Sequence, residues 1–461
     1  MSQAFSTPVY QKFATTMTAQ SDERTAATRT SFFFLCLFTV AIYARPEDIV
    51  PAVGKIHLTL ILGACATLAY LSAWISGKAR VLTSPELRFI VLLTLWFLVG
   101  TPFAYWRGGS IDVLTQTWFK TILVFFLLTQ TLLSLQRIRY VLWAIIFSEL
   151  AVASYSVLDP SRSAWVGDRM AGINQGILGW NFLGTAAAVT IPFIAALFIC
   201  HASFIKSALL AATTGAMMWL LVLTASRSGM LTVAFSVVFT CLFVLRGSAR
   251  GKLIGIGIIL IIALAIGAAP GVFWQRIQTI WSNSAPTTRD ALSADYSEQD
   301  RRDLLIRAIH FTAEHPLFGV GLGNFGPVSA AELGNTDDAW SGTHNTFAQL
   351  SAEAGIPALL LFVVLLALPI RRMWRIARRE GRKDEHTELD RMARATLVSM
   401  LAVIFGACFA HIAYEYFIYY PIAIAVGIDQ IAAVAANAAP VRKEVTPVFD
   451  CRDLVYIEKD I

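Results

Sequence analysis

Charged residues are scarce in this chain. Asp, Glu, Lys and Arg together make up 15% of the 461 residues, whereas hydrophobic residues make up 56%. Soluble domains have roughly 25% charged residues, so this composition excludes an ordinary soluble protein. Apolar runs near 20 residues recur along the whole length, and the ~10-residue alternating segments of a membrane β-barrel are lacking. The composition therefore predicts an all-α polytopic membrane protein.

Cysteine is scarce as well. The six cysteines include no Cys-x-x-Cys pair, and five of them fall in or at the ends of apolar runs, so neither disulfides nor a zinc site are expected. The loops whose charge pattern predicts that they lie outside the cytoplasm contain no Asp-x-Asp motif and no His/Glu cluster at a ligand-like spacing. We therefore expect no metal and no other cofactor. The net charge of +6 does not indicate a nucleic-acid partner, because basic residues of a membrane protein mostly mark its cytoplasmic side.

Apolar runs divide the chain into twelve predicted membrane spans. They lie near residues 31–44, 56–76, 87–105, 113–133, 138–158, 181–200, 204–224, 227–245, 252–270, 352–370, 393–411 and 416–436. The predicted organisation is a polar N-terminal tail (1–30), nine spans (31–270), one large polar loop (271–351), three spans (352–436) and a C-terminal tail (437–461).

Lys and Arg set the predicted orientation. They are concentrated in alternate loops, most densely in 371-RRMWRIARREGRK-383. Since such residues favour the cytoplasmic side, both tails are expected in the cytoplasm and the 271–351 loop outside.

Two arginines near the outer ends of spans are candidate ligand-binding residues. Arg227 stands between two apolar spans with almost no polar loop around it. A basic residue placed there costs free energy unless it is paired or faces a ligand, although it could also extend to lipid headgroups. Arg169 lies in a Gly-rich segment before another span, and irregular backbone at membrane depth must be buried or line a cavity.

The 271–351 loop contains a predicted amphipathic helix over 301–316. Its apolar face would comprise Leu304, Leu305, Ala308, Ile309 and Thr312, at spacings of three and four. Pro316 and Gly319 are expected to end it. Arg301 would then lie near the helix start, where a basic residue opposes the helix dipole, and this placement favours an anion-binding role. The alternative is that Arg301 and Arg302 pair with neighbouring carboxylates, for which Glu298, Asp300 and Asp303 are available.

The segments that follow the helix contain a glycine run and a Thr-His-Asn triplet. The pattern Gly321-x-Gly323-x-x-Gly326 fits a dinucleotide fingerprint, but it follows a helix and lacks a βαβ context, so it predicts a tight turn instead. Thr343 is predicted to cap the next helix, with His344 in its first turn. The helix dipole would keep His344 neutral near pH 7, able to take a proton from a sugar hydroxyl. A structural histidine bonded to a headgroup or a loop carbonyl is the alternative.

These residues resemble a known family. Arg227-x-x-x-Leu231, the segment 301-RRDLLIRAIHFTAEHPLFGVGLGNF-325, and His344-Asn345 followed by Gly355 are similar to motifs of the O-antigen ligase family. The resemblance covers roughly residues 160–370 by motif and the whole chain by topology. The chain departs from the family pattern at Ala358, where a Gly, Thr or Tyr is usual.

The resemblance implies a GT-C-like glycosyltransferase of the bacterial inner membrane with one large periplasmic loop between spans nine and ten. Its reaction would be an inverting, metal-independent transfer of O-antigen from undecaprenyl diphosphate to lipid A–core in lipopolysaccharide biosynthesis. Arg227 and Arg301 would hold the diphosphate, and His344 would lie at the reacting centre. Arg302 and Asn345 are further candidates for diphosphate binding, and Arg169 is a candidate from its position rather than from a family motif.

Three alternatives to a ligase stay open at this stage. O-antigen polymerases and bacterial protein O-oligosaccharyltransferases use the same donor, and sequence separates them poorly from ligases. A transporter without chemistry is a lesser alternative, since transporters usually contain internal repeats and broken helices near the midplane.

Overall fold

The computed structural model describes residues 23–158, 163–166, 169–173, 180–201, 203–246, 249–278, 289–334, 342–378 and 388–438. The α-helices are α1 Arg29–Ala44, α2 Pro46–Ile49, α3 Pro51–Gly54, α4 Leu58–Ile75, α5 Pro85–Gly100, α6 Arg107–Asp112, α7 Phe119–Thr131, α8 Leu135–Leu158, α9 Trp180–His201, α10 Phe204–Thr224, α11 Arg227–Phe239, α12 Ala249–Gly267, α13 Gly271–Gln278, α14 Arg289–Glu314, α15 Phe325–Leu333, α16 Thr346–Ala377, α17 Glu388–Ala407 and α18 Tyr419–Ala438. Short 3₁₀ turns lie at Thr101–Phe103 and Tyr416–Ile418, and π-helical turns lie at Val113–Trp118 and Thr240–Val244.

The prediction of an all-α polytopic membrane protein is confirmed. Within the described residues, nine helical segments are long and apolar enough to cross a membrane, and α1 and most of α12 form two shorter apolar helices. Each of the twelve predicted spans falls on a helix, including 393–411, which falls mainly on α17. One short antiparallel pair of strands, β1 (Ser163–Val166) and β2 (Arg169–Ile173), interrupts the helical pattern. Of the two predicted terminal tails, the structure describes residues 23–30 and 437–438.

The core of the bundle is formed around two helices, α9 and α18. The apolar segments Leu183–Cys200 of α9 and Tyr416–Ala436 around α18 are the most buried of the candidate spans. Outer helices such as α4 instead leave many apolar side chains exposed, for example Leu60 and Leu68. Such faces suit hydrocarbon rather than water, as expected for a bundle that spans a bilayer.

Glycines let three of the central helices approach closely. A Cβ on Gly184 of α9 would lie 2.3 Å from the Cα of Gly229 in α11, and one on Gly406 of α17 would lie 2.8 Å from the Oγ1 of Thr185. Small residues at such crossings are typical of helix packing in membranes. These contacts hold the N-terminal end of α11, which begins at Arg227, against α9 and α17.

Helix α16 is broken at Gly355, and the glycine run packs into the break. Gly355 has φ 83° and ψ 173°, outside the helical range. The amide of Val320 donates to the carbonyl of Ala352 (2.8 Å), that of Gly321 donates to Glu353 (2.9 Å), and that of Ile356 donates to Pro316 (2.8 Å). Backbone groups freed by the break are thus satisfied by the 316–321 segment, as buried amides and carbonyls require. The glycine run is therefore a turn, and it is anchored to α16.

The amphipathic helix of the large loop is longer than predicted and buries a different face. Helix α14 begins at Arg289, and it ends at Glu314, just before Pro316 as predicted. Its buried side chains are Leu304, Ala308 and Phe311, which pack against α16 and the segment after α14. The expected burial of Leu305 and Ile309 was wrong, because the contact with α16 uses the stripe that includes Phe311, leaving Leu305 38% and Ile309 61% exposed.

Candidate active site

One cavity brings together most of the polar residues singled out in the sequence. Its volume is about 470 Å³. The residues that line it come from four parts of the fold and are Arg227, Ser228, Leu231, Arg301, Arg302, Leu305, Thr343, His344, Asn345, Cys408 and Phe409. We call it the arginine cavity. Among its described lining residues three are arginines and none is Asp or Glu, so the cavity favours an anion.

Arg227 reaches the arginine cavity from the first position of α11. Helix α10 ends at Thr224, Ala225 adopts a left-handed conformation (φ 47°), and the Ser226 hydroxyl caps α11 by accepting from the amide of Gly229 (3.2 Å). This tight connection explains why the sequence has almost no polar loop around Arg227. The amides at the N-terminus of α11 also favour anions.

Arg301 and Arg302 enter the arginine cavity from α14. Since α14 begins at Arg289, Arg301 lies in the middle of a 26-residue helix. The prediction that Arg301 lies near the helix start was wrong, and the argument from the helix dipole does not apply, because the dipole acts mainly on terminal turns. The packing of Leu304, Ala308 and Phe311 on α16 orients this part of α14. The side chains of 289–300, including the possible partners Glu298 and Asp300, lie outside the described residues.

His344 precedes α16 rather than belonging to its first turn. The cap is Asn345, whose Oδ1 accepts from the amides of Phe347 (2.9 Å) and Ala348 (3.0 Å). The predictions of Thr343 as the cap and of His344 in the first turn were therefore wrong, because an Asn side chain two positions later makes the capping bonds. His344 has φ 49°, a left-handed conformation that is uncommon for a side chain of this size.

The environment of His344 keeps its ring neutral. Burial, together with the neighbouring His411 and Arg301, lowers the pKa of His344 to about 3. The imidazole is therefore neutral near pH 7, as the sequence predicted, but the main cause is desolvation rather than a helix dipole. Its buried Nδ1 has no hydrogen-bond partner among the residues that the structure describes.

Asn345 and Thr343 are held by structural hydrogen bonds. Besides capping α16, Asn345 donates from Nδ2 to the carbonyl of Cys408 (3.3 Å), and the Thr343 hydroxyl donates to the carbonyl of Asn345 (2.9 Å). Both residues also line the arginine cavity. The contacts make Asn345 a fixed part of the cavity wall, and its role as a diphosphate ligand stays a prediction.

Sequence reasoning missed a second histidine next to His344. The ring centroid of His411 lies 5.3 Å from that of His344, at an interplanar angle of 70°. His411 belongs to the turn between α17 and the Tyr416–Ile418 3₁₀ turn, which was interpreted as part of a span. The signal available was weak, since only the polar pair His411 and Glu415 interrupts an apolar stretch.

Arg169 is placed less fully than the other candidates. It is the first residue of β2, and its side chain lies outside what the structure describes.

Within the described residues no group of three or more His, Cys, Asp or Glu side chains could hold a metal ion. The expectation that the protein needs no metal stays a prediction.

Comparison with known proteins gives the family of this region. Residues 212–363 match the family model described as O-antigen ligase. This segment is therefore similar to the O-antigen ligase family. The matched segment contains Arg227, Arg301, Arg302, His344 and Asn345 and excludes Arg169, and it spans less than half of the chain. A search of curated proteins returned no match. That family is a class of glycosyltransferase-like ligases and polymerases that act on lipid-linked glycans. The chain is a multi-pass membrane protein with a segment similar to this family.

Proposed function

We propose that this protein is an O-antigen ligase. It would transfer O-antigen polysaccharide from undecaprenyl diphosphate to lipid A–core at the periplasmic face of a bacterial inner membrane, with both termini in the cytoplasm. The observation that carries the proposal is the convergence of Arg227, Arg301 and His344 on one cavity. These residues are far apart in the sequence, and they meet beside the ends of membrane-length helices, where a donor and an acceptor anchored in the bilayer could both present their head groups.

The arginines would stabilise the departing diphosphate. As the bond between the anomeric carbon and the diphosphate oxygen breaks, its electron pair moves to that oxygen, and negative charge grows on the leaving group. Guanidinium groups stay charged and match phosphate oxygens with a planar pair of donors. Arg227 and Arg301 are preorganised for this charge by the α11 cap and by the packing of α14 on α16, and such preorganisation is a large source of catalysis. Arg302 adds a third positive charge to the same wall.

His344 would accept the proton of the attacking acceptor hydroxyl. His344 lines the arginine cavity, although a pKa of about 3 makes it a weak base in the empty cavity. Binding of the diphosphate would offset the charge of Arg301, one of the groups that lower this pKa, so His344 would become more basic when the donor is bound. Attack from the face opposite the diphosphate would invert the anomeric centre.

The test is glycan transfer by the purified protein in lipid nanodiscs. Undecaprenyl-diphosphate-linked O-antigen and lipid A–core are supplied, and capped lipopolysaccharide is resolved on a gel. Arg227→Ala, Arg301→Ala and His344→Ala should each lower kcat by at least about a hundredfold, the usual cost of removing one group that stabilises a developing charge. A rate that is unchanged in all three variants would overturn the proposal.

Two residues of α14 provide matched controls. Arg307 pairs with Glu332 (3.6 Å) and His310 pairs with Glu314 (3.4 Å), and neither lines the arginine cavity. Arg307→Ala and His310→Ala remove the same residue types outside the arginine cavity, and both variants should transfer glycan at the wild-type rate. Activity in the presence of EDTA tests the expected independence of metal.

The same assay separates the ligase from the alternatives with the same donor. Elongation of the donor glycan without transfer to lipid A–core would indicate a polymerase. Transfer to an added periplasmic protein would indicate a protein O-oligosaccharyltransferase.

A further inference from the structure

The turn formed by residues 408–415, here the histidine turn, is fastened to the same helix segment that follows His344. The Thr346 hydroxyl donates to the carbonyl of Ala410 (2.6 Å) and accepts from the amide of Ile412 (3.1 Å). Gln349 accepts from the amide of Ala413 (3.2 Å). All three contacts are buried, so the turn and the first turns of α16 form one unit.

Two further hydrogen bonds join the histidine turn to α16 and its cap, one at each end of the turn. The Tyr414 hydroxyl donates to Glu353 Oε2 (2.7 Å), one turn beyond Gln349 on α16. At the other end, Asn345 holds the carbonyl of Cys408. The position of His411 relative to His344 is therefore set by side-chain bonds on both sides of it rather than by the turn alone.

The ring of His411 lies between His344 and the backbone of Gly342, although the residue is exposed. Its edge-to-face geometry with His344 is the favoured arrangement for two aromatic rings. A Cβ on Gly342 would lie 2.7 Å from Cε1 of His411 and 2.8 Å from both ring nitrogens. No other residue type fits at position 342 without displacing this ring.

We infer that His411 is a positioning residue whose ring fixes the orientation of the His344 imidazole toward the acceptor hydroxyl. The inference deepens the proposed function and depends on it. His344 occupies a left-handed backbone position outside the helix, and its Nδ1 has no hydrogen bond to fix the ring. The contact with His411 supplies the missing constraint, and misplacement of a reacting group by about 1 Å can cost on the order of a hundredfold in rate.

The experiment compares His411→Ala with His411→Phe in the nanodisc transfer assay. His411→Ala removes the ring and should lower kcat about ten- to a hundredfold, with the KM for the donor within about twofold of wild type. His411→Phe keeps an aromatic ring at that place and should recover most of the rate. Thermal unfolding is measured for each variant, so that a loss of fold is recognised.

Gly342→Ala provides an independent perturbation. It leaves both histidines in place and pushes the ring of His411, so kcat should fall while the KM for the donor stays. Gly267→Ala is the matched control, because a Cβ on Gly267 meets no atom within 4 Å, and it should transfer glycan at the wild-type rate.

Three results would overturn the inference. They are a wild-type kcat for His411→Ala, a His411→Phe variant as impaired as His411→Ala, and a loss that falls on the KM for the donor. Failure of the proposed function looks different, since it would show as no transfer by the wild-type protein or as full activity of His344→Ala.

Discussion

Gly355 lies directly against the backbone of Leu317. A Cβ on Gly355 would be 2.0 Å from the carbonyl oxygen of Leu317, far inside any van der Waals contact. The same residue has φ 83°, which only glycine adopts without strain. Gly355 therefore allows the segment after α14 to approach the break in α16, and this explains in physical terms why the motif that begins at His344 and Asn345 ends in a glycine.

Replacing this glycine should destabilise the protein strongly. Gly355→Ala combines a left-handed backbone cost of about 1–2 kcal/mol with overpacking of about 1–3 kcal/mol. The sum predicts a loss of roughly 2–5 kcal/mol in the free energy of unfolding, measured by denaturation in detergent. Gly267→Ala, in an open helical position, should change the stability by less than about 0.5 kcal/mol. Equal stability of the two variants would contradict this account of the break.

The scaffold could be predicted from the sequence because its signals are local. Each apolar run stays apolar over a whole span, and the membrane requires such a run to form a helix. The ends of elements were less predictable. Thr343 and Asn345 are both good caps, and only the tertiary position of the chain decides that Asn345 makes the capping bonds. The start of α14 at Arg289 likewise follows a segment without a clear stop or start signal.

The candidate site could be predicted only in part for a similar reason. Arg227, Arg301 and His344 are chemically unusual in an apolar chain, so each is noticed alone and their motifs group them. His411 has only a weak signal and no motif, because its contact is with His344 across 67 positions of sequence. The break in α16 was also missed, since an isolated glycine before a proline is compatible with a continuous helix.

The face of α14 that contacts α16 can be tested with one helix as its own control. Phe311 is 1% exposed and Ile309 is 61% exposed. Phe311→Ala should lower the free energy of unfolding by about 3–5 kcal/mol, the usual cost of truncating a buried Phe, and Ile309→Ala should cost less than about 0.5 kcal/mol. The face predicted from the sequence would give the opposite order, so chemical denaturation of the two variants decides between them.

Lysine substitutions should separate charge from geometry at the arginine cavity. Arg227→Lys and Arg301→Lys keep the positive charge but lose the paired donors that match a phosphate. Losing one hydrogen bond to a charged group costs about 1.5–3 kcal/mol, which predicts a ten- to hundredfold lower kcat, intermediate between wild type and the alanine variants. Lysine variants as slow as the alanine variants would mean that the paired donors of arginine, rather than its charge, account for the whole contribution to kcat.

The low pKa of His344 predicts an unusual pH dependence. An ordinary histidine would protonate near pH 6.5 and inactivate a general base there. Because the pKa of His344 is about 3 in the folded protein, kcat/KM, which reports the free enzyme, should show no acid limb due to His344 between about pH 8 and 5. A limb centred near 6.5 that disappears from the residual activity of His344→Ala would contradict the prediction.

The same pKa also makes a prediction about stability. Between about pH 6.5 and 3 the unfolded chain binds a proton at His344 that the folded protein does not, so the folded protein loses stability as the pH falls through this window. His344→Ala removes this contribution. The free energy of unfolding should therefore decrease less in His344→Ala than in wild type when the pH is lowered from about 7 to 5.

Cys408 allows occupancy of the arginine cavity to be measured without catalysis. It is an exposed free thiol that lines the cavity, and partial burial raises the pKa of the thiol. A negatively charged methanethiosulfonate should be drawn to the three arginines and should label Cys408, faster as the pH rises because the thiolate is the reactive form. Labelling should block glycan transfer.

Pyrophosphate then tests what the arginine cavity recognises. Because it has the same anionic groups as the proposed donor, inorganic pyrophosphate should slow the labelling of Cys408 in a concentration-dependent way, and Arg301→Ala should weaken this protection. Cys408→Ser is the control for labelling elsewhere, and Cys241, which lines a separate apolar groove, should react at a rate that pyrophosphate does not change. If pyrophosphate slows the labelling of neither cysteine, the arginine cavity is not a diphosphate site, whatever the chain transfers.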